Sequence, residues 1–463
     1  MTPQTAASQS PYDPHYDPLV SAGPGSGRDY APTYWVATAG APPEDDGPVT
    51  SDLDVDVAII GSGFTGLACA IYLAQEHGIK ATVLEANKVA WGCTTRNGGQ
   101  AQNSVGRLTR SQWIDRWGLD VARRMHAEVT EGFEAFRQLS SSPGIDCEAQ
   151  DGGHLYLAHR KRNFDKIAAE SKVLNEVFGY GTRIIGVDEL RRDWLDDKEA
   201  VGAVHEPLGI GVHPAKLAFG YQRLARSLGA GIHTSSPVLK IEEDRGSFRL
   251  RTPQGFVRAK AVAIATGAYT HNDMTPALRG RCMPILSNSI VTRPLTPAEI
   301  AETSFKTREV LTDTRTLRFY YRLLPDNRLQ IGSRSAVTGA EATEHRHLKL
   351  LIDGMYRKFP ALRGIDIDYS WWGWVDVSHD MMPRIVKPDP AKRLVYALGY
   401  GGNGVSYSTQ AGRRMAQMIA GQRFENMDLP IFTSPLPTHP FSPFRRLGQR
   451  MLYVLYHAKD EAA

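Results

Sequence analysis

Gly61-Ser62-Gly63-Phe64-Thr65-Gly66 has the spacing with which a backbone wraps a pyrophosphate. The first glycine of such a run permits a tight strand-to-helix turn. The second lets the backbone approach phosphate oxygens, and the third lets the helix pack close to the strand. The helix N-terminus turns unpaired N–H groups and partial positive charge toward the phosphates. Glu85 follows 19 residues after Gly66. A carboxylate there accepts hydrogen bonds from both ribose hydroxyls and repels a 2′-phosphate. These residues specify an adenine dinucleotide.

A second glycine-rich helix entry lies far downstream. LVYALGYGGNGVSYSTQAGRRMAQMIAG reads as strand, glycine turn and helix, and Ala265-Thr266-Gly267 ends another apolar run. A nicotinamide enzyme has no need of such an entry beside its N-terminal unit. A flavin does, because its N1–C2=O edge becomes anionic on reduction and a helix N-terminus stabilises that charge. FAD is therefore expected over NAD.

The elements that must position these residues follow from periodicity. VDVAII, LACAIYLAQEHG and ATVLEA form a complete βαβ unit around the glycine run, with Gly78 at the helix C-cap. Val57 to Ala74 is long and uncharged enough to resemble a membrane span. Its three glycines and strand-like first half exclude that reading. PAKLAFGYQRLARSLG is helical with Pro214 at its first position, and RFYYRLLPDNRLQIGS is a hairpin around Pro325-Asp326-Asn327.

Composition narrows the class. The 463 residues carry 54 Lys+Arg against 50 Asp+Glu, a net charge of +4, which gives no reason to expect nucleic acid as a partner. With 42% apolar residues the chain buries large cores. Cys69, Cys93, Cys147 and Cys282 are too scattered for a disulfide framework and form no CxxC pair for a metal, so free thiols in a reducing cytoplasm are expected. Residues 1–50, rich in Pro, Gly and Ser, read as a mobile arm or a segment draped over the surface, with Tyr34 and Trp35 as possible pins.

Six segments carry a resemblance to a known family: DVAIIGSGFTGLACAIYLA, VLEANKVAWGCTTRNGGQ, GVHPAKLAFG, RFYYRLLPDNRLQIGS, FPALRGIDIDYSWWG and GYGGNGVSYSTQAGR. The chain resembles the FAD-dependent amine oxidoreductases of the D-amino-acid oxidase/sarcosine oxidase superfamily, in particular the branch of the bacterial gamma-glutamylputrescine oxidases. The resemblance implies a mixed α/β fold. A Rossmann-like FAD domain is assembled from 51–110, 205–274 and 375–435, and a substrate domain on a mixed sheet from 111–204 and 275–374. Residues 436–463 form a C-terminal helical segment. By position, Gly61 to Gly66 hold the pyrophosphate and Glu85 the adenosine ribose, with Ala86 beside it among the cofactor-binding residues. Gly92, Cys93, Thr94, Thr95, Arg96, Asn97, Gly98, Gly99 and Gln100 run along the flavin. Val238 meets the adenine through its backbone, and Thr266 and Gly267 close the pocket. Asn403, Gly404 and Val405 lie at the flavin's pyrimidine edge, and Gly373 and Gly402 are also expected to bind the cofactor. Asn403 stands where the family usually has His, Gln330 where relatives place a Lys, and Asp376, His379 and Asp380 form an acidic run that the family lacks.

The chemistry so implied is oxidation of a primary or secondary amine, by hydride transfer from a neutral amine held in a dry pocket. Walls for that pocket are sought among Tyr320, Tyr321, Trp371, Trp372 and Trp374, each also readable as ordinary core. Arg322 is read either as a clamp for a substrate carboxylate or as a structural ion-pair partner, and His379 as a proton acceptor or a satisfied histidine. Tyr321, Arg322, Trp372, His379 and Asn403 are the expected catalytic set. No motif for covalent flavin attachment through Cys93 is present, so non-covalent FAD is expected. The partners expected are a small-molecule amine and an electron acceptor, oxygen or another, with no transmembrane span. A cyclic or N-methyl amino acid substrate, and a flavin-binding redox sensor without turnover, remain as alternatives. The run FRRLGQRMLYVLYHAKD is read as docking either on an anionic membrane surface or on its own domain.

Overall fold

The computed structural model describes residues 11–439 and 442–461. The strand Leu53–Ile60 buries its last four residues and leads through the glycine turn into the helix Phe64–His77. That helix ends at Gly78, whose left-handed backbone (φ 65°) lets its N–H reach Ala74 while Ile79 N–H reaches Leu73. Leu53–Ile60 lies parallel to Ala81–Leu84 on one side and Phe256–Ile264 on the other. Gly231–His233 extends this eight-stranded sheet at one edge, and the hairpin Lys240–Asp244/Ser247–Arg251 at the other. Leu394–Leu398 runs parallel to the second half of Phe256–Ile264 and carries Arg384–Val386 antiparallel. The helices Phe64–His77, Pro214–Ser227 and Tyr407–Ala420 share one core against this sheet, so three stretches distant in sequence build one nucleotide-binding layer.

A second eight-stranded sheet is mixed. Its order is Ile367–Val377, Met283–Pro294, Arg328–Ser333, Tyr320–Leu323, Val310–Asp313, His154–Ala158, Gly202–Glu206 and Arg183–Gly186. Its one parallel pair joins His154–Ala158 to Val310–Asp313. The expected hairpin forms, with Tyr320 opposite Gly332 and Arg322 opposite Gln330, and Asn327 takes the left-handed turn position. A small three-stranded sheet of Gln100–Gln102, Gly209–Gly211 and Gln150–Asp151 lies between the larger two.

The N-terminal arm is pinned from residue 11 onward. Tyr34 and Trp35 are buried, and Trp35 Nε1 donates to Asn97 O at 2.8 Å. Tyr16 stacks on Tyr269, while the indoles of Trp372 and Trp374 donate to Pro14 O and Tyr16 O. The C-terminal helix Arg445–Glu461 docks on its own chain through its polar side: Arg446 pairs Asp17 at 2.6 Å and Arg450 pairs Glu341 at 3.0 Å. Leu447, Met451, Val454 and Leu455 face outward. Among the described residues, no helix is long and apolar enough to cross a membrane.

Candidate active site

The glycine turn opens onto an elongated cavity of 1220 Å³, counting solvent at its mouth. Gly61 has φ +98°, and a Cβ there would lie 2.7 Å from Ala265 O; one on Gly66 would lie 1.9 Å from Gly61 O. Both positions therefore exclude any side chain, as the turn and the helix–strand contact require. Gly63 caps the helix without a side chain, and apart from Phe64 N–H, which reaches Thr94 Oγ1 at 3.3 Å, the first turn has no capping acceptor. Those free donors face the cavity through Gly63, Phe64 and Thr65. At one end Glu85 is buried. It accepts Ser62 N–H and Oγ–H at 3.0 and 2.7 Å on one oxygen and Asn87 N–H at 3.0 Å on the other. Burial holds its carboxyl above the ordinary value, and these hydrogen bonds offset part of that rise. Val238, Thr266 and Gly267 close that end, while Gly92, Cys93, Thr94, Gly402, Gly404 and Val405 line the other. The helix Tyr407–Ala420 starts there with no side-chain cap. An elongated cradle with two open helix starts and a carboxylate at its end fits FAD.

A smaller inner cavity of 750 Å³ opens from the first. The two share Cys93, Asn97, Val375, Gly402 and Val405. Tyr320 forms part of its wall, its hydroxyl held by Ser287 and Ser289, each at 2.9 Å. Gly98 and Gly373 leave room where a Cβ would strike Tyr320 and Arg96, each at 2.8 Å. Four arginines line this space: Arg96, Arg107, Arg318 and Arg334. Arg96 is 5% exposed; its Nε donates to Trp91 O at 3.2 Å, its guanidinium lies 4.3 Å from the Trp91 ring centroid, and its buried Nη2 has no partner. Among the described residues, Arg318 lies over the Tyr156 ring at 5.5 Å with its Nε unpartnered, and Arg334 reaches only Gly401 O at 3.2 Å. Burial, with the like charges of Arg334 and Arg318, holds Arg107 well below its ordinary value. Asn403 donates to Gly106 O at 2.7 Å, which fixes the loop that carries Arg107.

A model of the FAD dependent oxidoreductase family (DAO) matches residues 56–418. The chain belongs to this family. The gamma-glutamylputrescine oxidoreductase of Escherichia coli K12 is 30% identical over 420 residues, 89% of this chain and 93% of that protein. The glycine oxidase of Bacillus licheniformis is 24% identical over 391 residues, covering 79% of this chain and 93% of its own. In fold, the chain is similar to the crystal structure of glycine oxidase from Geobacillus kaustophilus, with a TM-score of 0.70 at 21% identity over 84% of this chain and all of that one. The protein is an FAD-dependent oxidoreductase with a mixed α/β fold.

Of the flavin-lining residues expected from sequence, Gly92, Cys93, Thr94 and Asn97 line the dinucleotide cavity; Arg96, Gly98, Gln100 and Gly373 line the inner one. Ser62 instead braces Glu85, and Thr95 turns inward to Ala90 O at 3.0 Å. Gly99 packs under Val212 O and Arg322. Burial, with Asp376 adding to it, pushes the Cys93 thiol up to about 12, so it stays protonated. Asn403, expected at the flavin's pyrimidine edge, lies in the wall of the inner cavity.

Four members of the expected catalytic set lie elsewhere. Arg322 is 1% exposed, donating to Gln150 Oε1 and Val212 O at 2.6 Å each and to Gly98 O at 3.3 Å. It is neither a carboxylate clamp nor an ion-pair partner; it buttresses the backbone behind Gly98. Tyr321 points to the opposite face of its strand, into the core, where its hydroxyl reaches Asp197 at 2.5 Å. Trp372 packs beneath the N-terminal arm. His379 is exposed, edge-on to His439 at 5.3 Å. The expected aromatic pocket is likewise corrected: Tyr320 alone of the five aromatics lines the inner cavity, and Trp374 lines the dinucleotide cavity. Sequence reasoning missed Arg107, Arg318 and Arg334. Period-two alternation would have found two of them. Arg318 precedes Tyr320 by two positions, and Arg334 follows Gly332 by two.

Proposed function

We propose that this enzyme oxidises the carbon–nitrogen bond of a small carboxylated amine. The observation that carries this reading is the inner cavity, basic and partly buried, opening directly onto the dinucleotide cavity. Bound FAD supplies a two-electron acceptor for hydride lost from the amine's α-carbon. Hydride loss requires the neutral amine, which in water has a pKa of about 10. The arginine charges disfavour an ammonium beside them, so the cavity itself drives the amine toward its reactive form. They hold the carboxylate at the same time, which orients the α-carbon. Tyr320, fixed by two serines, bounds the space without supplying a charge. The imine product is hydrolysed by water to a carbonyl compound. The names of two relatives fit the reading, since gamma-glutamylputrescine and glycine are both carboxylated amines.

The test is anaerobic mixing of oxidised holoenzyme with gamma-glutamylputrescine, glycine, sarcosine and butylamine while flavin absorbance is followed. Bleaching by a carboxylated amine and none by butylamine is expected. If dithionite bleaches the flavin and no carboxylated amine does, the reading fails.

A further inference from the structure

The inner cavity holds more positive charge than one carboxylate can answer. Among the described residues, no carboxylate lies within salt-bridge distance of Arg96, Arg107, Arg318 or Arg334. FAD does not neutralise them either, because the glycine cradle for its pyrophosphate belongs to the other cavity, which none of the four lines. Beyond Arg107, Arg318 and Asn403 the inner cavity continues into an outer one of 1650 Å³. The outer acids make no salt bridge to these four arginines: Glu206 pairs His154 at 3.3 Å and feels Arg318 only at longer range, Glu170 accepts Ser111 N–H at 3.1 Å, and Asp460 accepts Thr316 and Leu317 N–H at 3.0 and 3.1 Å.

We propose that the substrate is a small amine bearing two or more carboxylates, one held in the inner cavity and another at its border with the outer one. The proposal names the substrate class for the amine oxidation above and rests on that reading. A single carboxylate takes a bidentate contact from one guanidinium, or shares two, and leaves at least two arginines uncompensated at the edge of low dielectric. A second carboxylate removes that deficit. The planar guanidinium fork suits paired carboxylates better than a point charge would. Gamma-glutamylputrescine carries one carboxylate and a second amine, so this cavity favours a more acidic substrate than the relative's name describes.

Redox-inert probes separate this proposal from turnover. Oxidised holoenzyme is titrated with glutarate and with butyrate, and perturbation of flavin absorption gives each Kd. Glutarate is expected to bind at least about 10-fold more tightly, and Arg318→Gln to cut that preference to about 3-fold or less, with Arg318→Lys restoring part of it. Unchanged flavin content checks that each variant is folded. Equal binding of the two acids, or a glutarate preference unaltered in both Arg318→Gln and Arg107→Gln, overturns the proposal. An enzyme that prefers glutarate but oxidises no amine would sink the amine reading alone.

Discussion

Two groups of charge, one buried and one half-buried, lie on opposite faces of the strand Tyr320–Leu323. On the core face, beneath Tyr321, Lys358 is 1% exposed and its Nζ reaches Asp197 at 3.3 Å, Asp313 at 3.2 Å and Glu199 at 3.5 Å. Arg315 pairs Asp313 at 2.6 Å and Glu199 at 2.9 Å, and Arg357 closes the set on Glu199 at 2.9 Å. Three bases meet three acids. Burial pushes the Lys358 ammonium down, but Asp197 and Asp313 outweigh it and hold it above its ordinary value. On the cavity face, beside Tyr320, none of the four arginines has a carboxylate within salt-bridge distance among the described residues. The same residue types thus serve opposite ends, the core group fully buried at its centre and the cavity group half-buried apart from Arg96. A saturated network has nothing left to offer a ligand, whereas an unsaturated one is strained until a ligand arrives.

The contrast breaks most easily on its saturated side. Lys358→Met leaves Asp197 buried without a cation and Asp313 with Arg315 alone, and should cost about 3–5 kcal/mol in denaturant unfolding. A loss below about 1 kcal/mol would show that the network is not what stabilises this face. Glu85 lies between the extremes, since its partners are hydrogen-bond donors rather than cations. Glu85→Ala orphans Ser62 and Asn87 N–H groups, for a loss of about 1–3 kcal/mol, and lowers the flavin content of purified protein. Glu85→Arg should retain no flavin, and full occupancy would remove Glu85 from the adenosine end. The smallest effect is expected on the unsaturated side. Arg107→Gln removes one of four like charges and breaks no ion pair, so the ligand-free unfolding free energy should stay level or rise, by less than about 1 kcal/mol. A marked fall would mean that Arg107 has a structural role.

The dinucleotide half was legible from local pattern. Gly61 and Gly66 do what their spacing implies, Glu85 ends the second strand, and the helix Phe64–His77 stops at Gly78. The hairpin and its register were also readable, because Pro325, Asp326 and Asn327 are turn residues between two apolar runs. The inner site was not, for a specific reason. Alternation states that Tyr321 and Arg322 point opposite ways but does not say which face meets the flavin. The answer depends on Gly98, Gly99 and Val212, more than a hundred residues away, which occupy the guanidinium of Arg322 and leave the cavity to Arg318.

By itself, then, the sequence determined the βαβ unit, the FAD cradle and the family, because each rests on motifs whose short-range spacing a strand or a helix converts directly into geometry. It favoured FAD over NAD through the pairing of two such motifs far apart, together with the family resemblance. Only the tertiary structure decided which arginines are satisfied and which are not. Satisfaction is a property of neighbours: Arg315 and Arg318 stand three positions apart, yet one pairs Asp313 and Glu199 while the other lines the inner cavity and, among the described residues, is within salt-bridge distance of no carboxylate. No local pattern encodes that difference, because the partners arrive from other strands and helices when the second sheet closes.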